Sequence, residues 1–145
     1  MSKLRNTKIG FVFQFHELIP ELNVMENICL PGWIKNDNKV ADNANSLISY
    51  FGLDKLKNKK PNTLSGGEKQ RAAIARAMIN NPKIIFADEP TGNLDPVTAA
   101  GVFEHLSAIV RGTNTAALVV THNQQLAHEM DSILTLKNGV IETIN

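Results

Sequence analysis

Two adjacent carboxylates follow an apolar run at a position where they could do chemistry. Asp88 and Glu89 come directly after residues 84–87, which read Ile-Ile-Phe-Ala. A carboxylate at the end of a buried strand can hold Mg²⁺, directly or through water, while its neighbour polarises an attacking water. We therefore predict that Asp88 is a metal ligand and Glu89 a general base. Adjacent carboxylates also occur in ordinary surface turns, which is the alternative interpretation.

A second group, Ser65-Gly66-Gly67-Glu68, is typical of a helix amino terminus. Serine followed three residues later by glutamate forms a capping box, which needs no function to explain it. Two consecutive glycines lower helix stability, so their presence indicates that the backbone approaches another group closely. Free N–H groups at a helix amino terminus bind anions. Taken alone, the pattern favours a plain capping box, and an anion site is the alternative interpretation.

Three further residues carry weaker signals when each is taken alone. Gln14 follows the apolar run 9–13, and its amide oxygen could approach a metal or a water. His122 follows the apolar run 116–120 and could donate a hydrogen bond to a phosphate oxygen, although a lone histidine is more often structural. Asp95 lies in a stretch that reads by itself as a turn and a helix start.

The elements that must position these residues follow from apolar periodicity and from turn residues. Short apolar runs separated by helical stretches predict an α/β fold with a mainly parallel sheet, in which ligands bind at the carboxyl ends of the strands. The predicted strands are buried. They span 9–13, 84–87 and 116–120; the helices span 23–28, 40–51, 65–80, 98–110 and 125–130; a loop spans 32–39; and a hairpin turns at 137–139.

Composition excludes several classes of protein. The 145 residues carry a net charge of +1, which argues against a general nucleic-acid binder and against a polybasic membrane anchor. A single cysteine, Cys29, excludes an internal disulfide framework and suits a reducing compartment. No apolar run is long enough to span a membrane, and residues 1–5 lack the apolar stretch of a signal peptide. These features predict a cytoplasmic globular protein.

The motifs are more informative together than alone, because they follow one another along the chain in a characteristic order. The stretches 64–71, 87–95 and 121–122 together resemble the ATP-binding-cassette (ABC) ATPases across nearly the whole chain. The resemblance implies ATP and Mg²⁺ as cofactors and a partial P-loop NTPase fold with a small helical subdomain. It also implies a role for each residue: Gln14 as the Q-loop residue and a metal ligand, Ser65, Gly66, Gly67 and Glu68 as the signature motif that contacts nucleotide across a dimer, Asp88 as the Walker B metal ligand, Glu89 as the catalytic glutamate, Asp95 as the D-loop residue and His122 as the switch histidine.

The same resemblance implies three segments of the chain and points to one subgroup of ABC ATPases. It implies a Q-loop strand at 1–14, a helical subdomain at 15–80 and the remaining core at 81–145. Residues 87–95 resemble the subgroup of lipoprotein-releasing, macrolide-exporting and cell-division ATPases, and residues 13–22 are most similar to its lipoprotein-releasing members. The implied partners are a second ATPase subunit, as a homodimer, and integral-membrane permease subunits. The implied location is the cytoplasmic face of the inner membrane.

One motif of the family is missing from the sequence. None of the nine glycines is followed by lysine, so the phosphate-binding sequence G-x-x-x-x-G-K-[ST] is absent. In the family that loop follows a strand that lies beside the strand ending at His122. We therefore expect a carboxy-terminal portion of the domain that does not bind ATP usefully by itself. We also expect an unpaired strand edge and an uncovered apolar face, which favour self-association.

Two other functions remain as alternatives. One is a non-catalytic interaction fragment, which the absent phosphate-binding loop favours. The other is a soluble ABC ATPase that acts on DNA ends or ribosomes. Only 50 residues without sustained heptads separate Gln14 from Ser65, and Gly92-Asn93 stands where ribosomal members usually have Asn-His. Both observations disfavour the second alternative.

Overall fold

A computed structural model describes residues 7–144 of the chain. Helices and strands alternate along most of it, and a β-hairpin follows. The strands are β1 (Ile9–Val12), β2 (Ile84–Asp88), β3 (Ala116–Val120), β4 (Ile133–Lys137) and β5 (Val140–Ile144), and the helices are α1 (Val24–Ile34), α2 (Val40–Tyr50), α3 (Gly66–Met78), α4 (Pro96–Gly112) and α5 (Gln124–Ala127). Two short 3₁₀ turns, Asp54–Leu56 and Pro61–Thr63, connect α2 to α3.

Three of the strands form a parallel sheet in the order β1-β2-β3. The register aligns Val12 with Ala87, and Asp88 with Val120. All three strands therefore end at one edge of the sheet, and the residues that follow them meet there. The hairpin β4-β5 forms a separate antiparallel sheet. The predicted α/β class, the parallel sheet and the hairpin are confirmed.

The core lies on one face of this sheet and among the helices. Val12, Ile85 and Ala87 point to this face and are buried, and helix α3 packs against it with Ile74 and Met78. Helices α1 and α2 pack on α3 from the other side, so residues 15–80 of the described chain are mostly helical. The division into a helical subdomain at 15–80 and core segments at 1–14 and 81–145 stays a prediction.

The opposite face of the sheet is open, which corrects the expectation of three fully buried strands. Phe11, Phe86 and Leu118 are aligned side by side on this face by the register. The rings of Phe11 and Phe86 stack with their centroids 5.7 Å apart. Phe11 is 41% exposed, Leu118 is 44% exposed and Val120 is 58% exposed. Apolar composition indicated strands correctly but not their exposure, whereas the uncovered apolar face expected from the missing phosphate-binding sequence agrees with the exposure of β3 and of this face.

The boundaries of three helices also differ from the prediction. Helix α1 continues through Pro31 and Gly32 to Ile34, so the predicted loop at 32–39 begins three residues later. Helix α4 is longer than predicted and begins at Pro96, while α5 is shorter and ends at Ala127. No helix within residues 7–144 combines the length and hydropathy that a membrane crossing requires.

Candidate functional site

The carboxyl edge of the sheet brings Glu89 and His122 together. Oε1 of Glu89 accepts a hydrogen bond from the backbone N–H of His122 at 2.8 Å and lies 2.7 Å from Nδ1 of the same residue. Oε2 accepts a hydrogen bond from the hydroxyl of Thr121 at 3.2 Å. The carboxylate side chain is only 18% exposed, whereas the imidazole is 79% exposed. The glutamate is therefore held in one orientation, and the histidine presents its other nitrogen to solvent.

The backbone at Glu89 is strained. Its φ is +43°, in the left-handed region that residues with a Cβ seldom adopt. Its N–H donates to the carbonyl oxygen of Val120, so the turn after β2 is bound to the end of β3. Strain of this kind persists only where surrounding contacts enforce it, and it is concentrated at functional sites.

Gln14 reaches the same edge from β1 and is paired with Asn93. Its Nε2 donates to Oδ1 of Asn93 at 3.2 Å, and Nδ2 of Asn93 donates back to the carbonyl oxygen of Gln14 at 3.3 Å. Because the NH₂ group is used in this pair, the side-chain oxygen Oε1 is left without a hydrogen bond from any described residue. Gly92 packs closely here, since a Cβ at that position would lie 3.0 Å from Nε2 of Gln14.

Asp88 and Gln14 are the residues at this edge that suit Mg²⁺. Asp88 ends β2 with an exposed side chain, and Gln14 offers its free amide oxygen. Mg²⁺ prefers oxygen ligands and usually takes only one or two from protein, with water and phosphate oxygens filling the rest. No group of three or more His, Cys, Asp or Glu residues within 7–144 is arranged to hold a metal. The donor set therefore fits a cation that is shared with a phosphate ligand.

The amino terminus of α3 has the predicted capping box. The N–H of Glu68 donates to the hydroxyl of Ser65, and the N–H of Ser65 donates to the carboxylate of Glu68 at 2.7 Å. Hydrogen bonding to the carboxylate from the backbone N–H of Ser65, and then from the Ser65 side chain, holds the pKa of Glu68 below its usual value. The N–H groups of Gly66 and Gly67 remain unused within the described chain, which suits a phosphate oxygen.

The two glycines also pack closely against the region of Asp95. A Cβ on Gly67 would clash with the methyl group of Thr98, and a Cβ on Gly66 would lie 3.0 Å from Leu94. Asp95 caps α4 by accepting a hydrogen bond from the N–H of Thr98 at 3.1 Å. Hydrogen bonding from the Thr98 side chain, and then from that N–H, lowers the pKa of Asp95. The structure therefore brings Asp95 next to Ser65–Glu68. No hydrogen bond or ion pair within the described residues joins that group to Glu89 or His122.

The family model described as "ABC transporter" matches residues 1–92, which is more than half of the chain. The chain belongs to the ABC transporter family. The parallel sheet with a helical segment inserted between β1 and β2 is thus part of an ABC ATPase cassette.

Curated relatives of this ABC chain include two lipoprotein-releasing system ATP-binding proteins named LolD. The protein from Hyphomonas neptunium is 49% identical over 140 residues, which make up 95% of this chain and 61% of the relative. The protein from Novosphingobium aromaticivorans is 48% identical over 143 residues, or 97% of this chain and 64% of the relative. The chain therefore spans about three fifths of the length of these relatives.

Solved ABC cassettes have the same fold. A dimeric ATP-binding cassette in a post-hydrolysis state, bound to ADP and Pi, superimposes with a TM-score of 0.83 at 38% identity, over 99% of this chain and 66% of that one. A dimeric structure described as a bacterial ABC transporter cassette superimposes with a TM-score of 0.84 at 38% identity and the same coverage.

One half-buried residue that links two parts of this ABC chain was missed by sequence reasoning. Arg76 on α3 donates to the carbonyl oxygens of His16 at 3.0 Å and of Glu17 at 2.7 Å. His16 and Glu17 have φ values of +65° and +45°, so this turn after Gln14 is strained. Burial lowers the pKa of the Arg76 guanidinium, and the Glu17 carboxylate opposes that shift. An arginine within the apolar stretch 72–78 was the signal that could have revealed it.

The imidazole of His16 adds a contact between the same turn and the start of α3. Its Nε2 lies 2.9 Å from the carbonyl oxygen of Gly66. Gln70, which is buried, adds a weak hydrogen bond of 3.4 Å to the carbonyl oxygen of Phe13. Both ends of α3 are therefore joined to the segment that carries Gln14.

Proposed function

We propose that this chain supplies the catalytic edge and the signature motif of an ATP-hydrolysing ABC transporter subunit of the lipoprotein-releasing type. The observation that carries the proposal is the oriented Glu89 carboxylate, held by Thr121 and His122 at the carboxyl edge of the sheet. The similarity to proteins named LolD supports the choice of export complex.

The proposed roles follow from the chemistry of each side chain. Glu89 accepts a proton from the attacking water, because its carboxylate is fixed and largely shielded. His122 donates a hydrogen bond to a phosphate oxygen through Nε2, and Nδ1 contacts Glu89 at the same time. Asp88 and Gln14 hold Mg²⁺, which neutralises charge on the phosphate groups of ATP when both are bound.

The amino terminus of α3 is proposed to contact nucleotide held by a second subunit. The unused N–H groups of Gly66 and Gly67, oriented by the capping box of Ser65 and Glu68, would bind phosphate oxygens. Asp95, next to these residues, would lie at the contact between the two subunits of a homodimer. The dimeric state of the solved cassettes supports this arrangement.

The helical segment between Gln14 and Ser65 is proposed to meet integral-membrane permease subunits. Its exposed side chains include those of Phe15, Trp33 and Ile34, and Phe15 is 75% exposed. Large apolar side chains at a surface are typical of protein contacts. Through such a contact the subunit would sit on the cytoplasmic face of the inner membrane, and lipoprotein would be a substrate of the whole complex.

The 145 residues alone are proposed to be inactive. They contain no G-x-x-x-x-G-K-[ST] sequence, whose amides and lysine hold the β- and γ-phosphates in P-loop enzymes. The groups described above contact only part of a bound nucleotide. Hydrolysis therefore requires a phosphate-binding loop in addition to this chain.

The test joins the chain in frame to the preceding segment of the Hyphomonas neptunium relative and measures ATP hydrolysis. Glu89→Gln should lower turnover by about 10² or more. Glu104→Gln, on the exposed side of α4, removes the same charge away from the site and should leave turnover unchanged. A fusion that hydrolyses ATP equally well with both variants would contradict the role of Glu89. A folded fusion that never hydrolyses ATP would favour the non-catalytic alternative.

A further inference from the structure

His16 reaches the start of α3 from a main chain that is fixed on both sides. Its N–H donates to the carbonyl oxygen of Phe13 at 3.2 Å, and its own carbonyl oxygen accepts from Arg76 at 3.0 Å. The half-buried imidazole then places Nε2 2.9 Å from the carbonyl oxygen of Gly66, across 50 positions of sequence. Because a carbonyl oxygen can only accept, Nε2 carries the proton and donates it.

The acceptor belongs to the peptide unit that carries the N–H of Gly67. Such a unit is planar, and none of the peptide bonds within the described residues is cis, so the C=O of Gly66 and the N–H of Gly67 point in opposite directions. A hydrogen bond to the carbonyl oxygen therefore fixes the direction of that N–H and also polarises it as a donor. The N–H of Gly67 is one of the two amides that the capping box leaves unused.

The peptide between Gly66 and Gly67 needs a restraint from outside the helix. Helix ends fray, and glycine loses more conformational freedom on ordering than any other residue. The capping box holds the N–H groups of Ser65 and Glu68, which lie on either side of this peptide. The contact from His16 supplies the restraint for the peptide itself.

We propose that His16 is a positioning residue for the signature motif, and that its Nε2–H holds the Gly66–Gly67 peptide so that the N–H of Gly67 is directed at a phosphate oxygen of ATP. The phosphate contact rests on the proposed function, whereas the restraint on the peptide does not. His16 itself contacts no reacting atom. An interaction made equally with bound ATP and with the transition state affects KM and not kcat, so loss of His16 should raise KM.

Two variants at this position separate the hydrogen bond from the packing of the ring. His16→Phe keeps an aromatic ring and removes the N–H, whereas His16→Gln keeps an Nε2 donor and removes the ring. Both variants keep a Cβ at a residue whose φ is +65°, so the backbone strain of the turn is the same in both. A role in packing alone would make His16→Phe the milder change.

The first readout is the NMR order parameter of the Gly67 N–H in the full 145-residue chain without nucleotide. It should fall from about 0.85, which is typical of rigid backbone, toward about 0.6 in His16→Phe and stay near about 0.85 in His16→Gln. The order parameter of Ala73, in the middle of α3, should change in neither variant. Equal values for Gly67 in the two variants would overturn the proposal, and so would a fall at Ala73 as large as that at Gly67.

The second readout is ATP hydrolysis by the fusion described above. KM for ATP should rise at least about tenfold in His16→Phe, because a hydrogen bond to a charged group is lost, and change less than about twofold in His16→Gln. A KM that rises equally in both variants, or a loss confined to kcat, would contradict the positioning role. A fusion that never hydrolyses ATP with His16 unchanged would contradict the proposed function instead, and the order parameter of Gly67 would still decide the role of His16.

Discussion

Replacement of Arg76 by methionine tests how the turn after Gln14 is held. Methionine keeps the apolar stem of the side chain and removes the guanidinium that donates to the carbonyl oxygens of His16 and Glu17. Both of these residues have positive φ, so the turn depends on contacts outside itself. Arg71→Met, on the same helix with no hydrogen bond to the turn, is the matched control.

The expected magnitude comes from the two hydrogen bonds that are lost. A hydrogen bond to a charged group contributes about 1.5 kcal/mol at the lower end of its range, so the pair contributes about 3 kcal/mol to closing the turn. A factor of ten corresponds to about 1.4 kcal/mol, and the turn should therefore open about 100-fold more often.

Amide hydrogen exchange measures this opening directly. The N–H of His16 bonds to Phe13 and that of Glu17 bonds to Phe15, so both exchange only when the turn opens. Exchange at these two amides should accelerate about 100-fold in Arg76→Met and stay unchanged in Arg71→Met. Unchanged exchange at the turn, or acceleration spread equally over α1 and α2, would refute the reasoning.

Three further substitutions test other contacts. Asn27→Ala removes four hydrogen bonds to the loop 19–23 from a fully buried side chain and should lower the free energy of unfolding in urea by about 3 kcal/mol, whereas the exposed Asn45→Ala should have little effect. Gly67→Ala should destabilise by about 1–3 kcal/mol through its clash with Thr98, and a calorimetric melt of the double variant with Thr98→Ser should show recovery, since that change removes the obstructing methyl group. Because the pKa of Glu68 is lower in the folded chain, its ionised carboxylate stabilises the fold at pH values above 4.5, the ordinary pKa, and this contribution is lost as pH falls through the folded pKa. Glu68→Gln should therefore reduce the loss of stability at acid pH, measured by circular dichroism. An unchanged loss would contradict this.

Local signals in the sequence predicted the starts of helices well. The helix predicted from residue 23 begins with a capping box of Asn23 and Glu26, whose cap and partner are only three residues apart and need no tertiary contact. The end of the same helix was predicted wrongly. The proline and glycine at 31–32 indicated a helix end, because proline normally breaks a helix. Gly32 instead packs so closely against Val40 that a Cβ there would clash with it, and this contact between α1 and α2 is not visible in the local sequence.

In the site, too, features set by local sequence were predicted, and contacts between distant residues were not. The end of each strand was predicted to within one residue, and the register brings Glu89 and His122 to one edge. The partners that orient the site were not predicted. Asn93 pairs with Gln14 across 79 positions of sequence, and Thr121 bonds to Glu89 across 32. Amides and hydroxyls are common polar residues, and only the fold determines which of them meet.

The distances along the chain between site residues have a consequence for folding kinetics. The signature helix and its capping box rest on contacts three residues apart, whereas the Gln14–Asn93 pair closes a loop of 79 residues. Closing long loops costs entropy before native contacts repay it, so non-local pairing forms late. A chain emerging from the ribosome would therefore have its helices in place before Gln14 meets Asn93, and the sheet edge that carries Gln14, Glu89 and His122 would form last among the described elements.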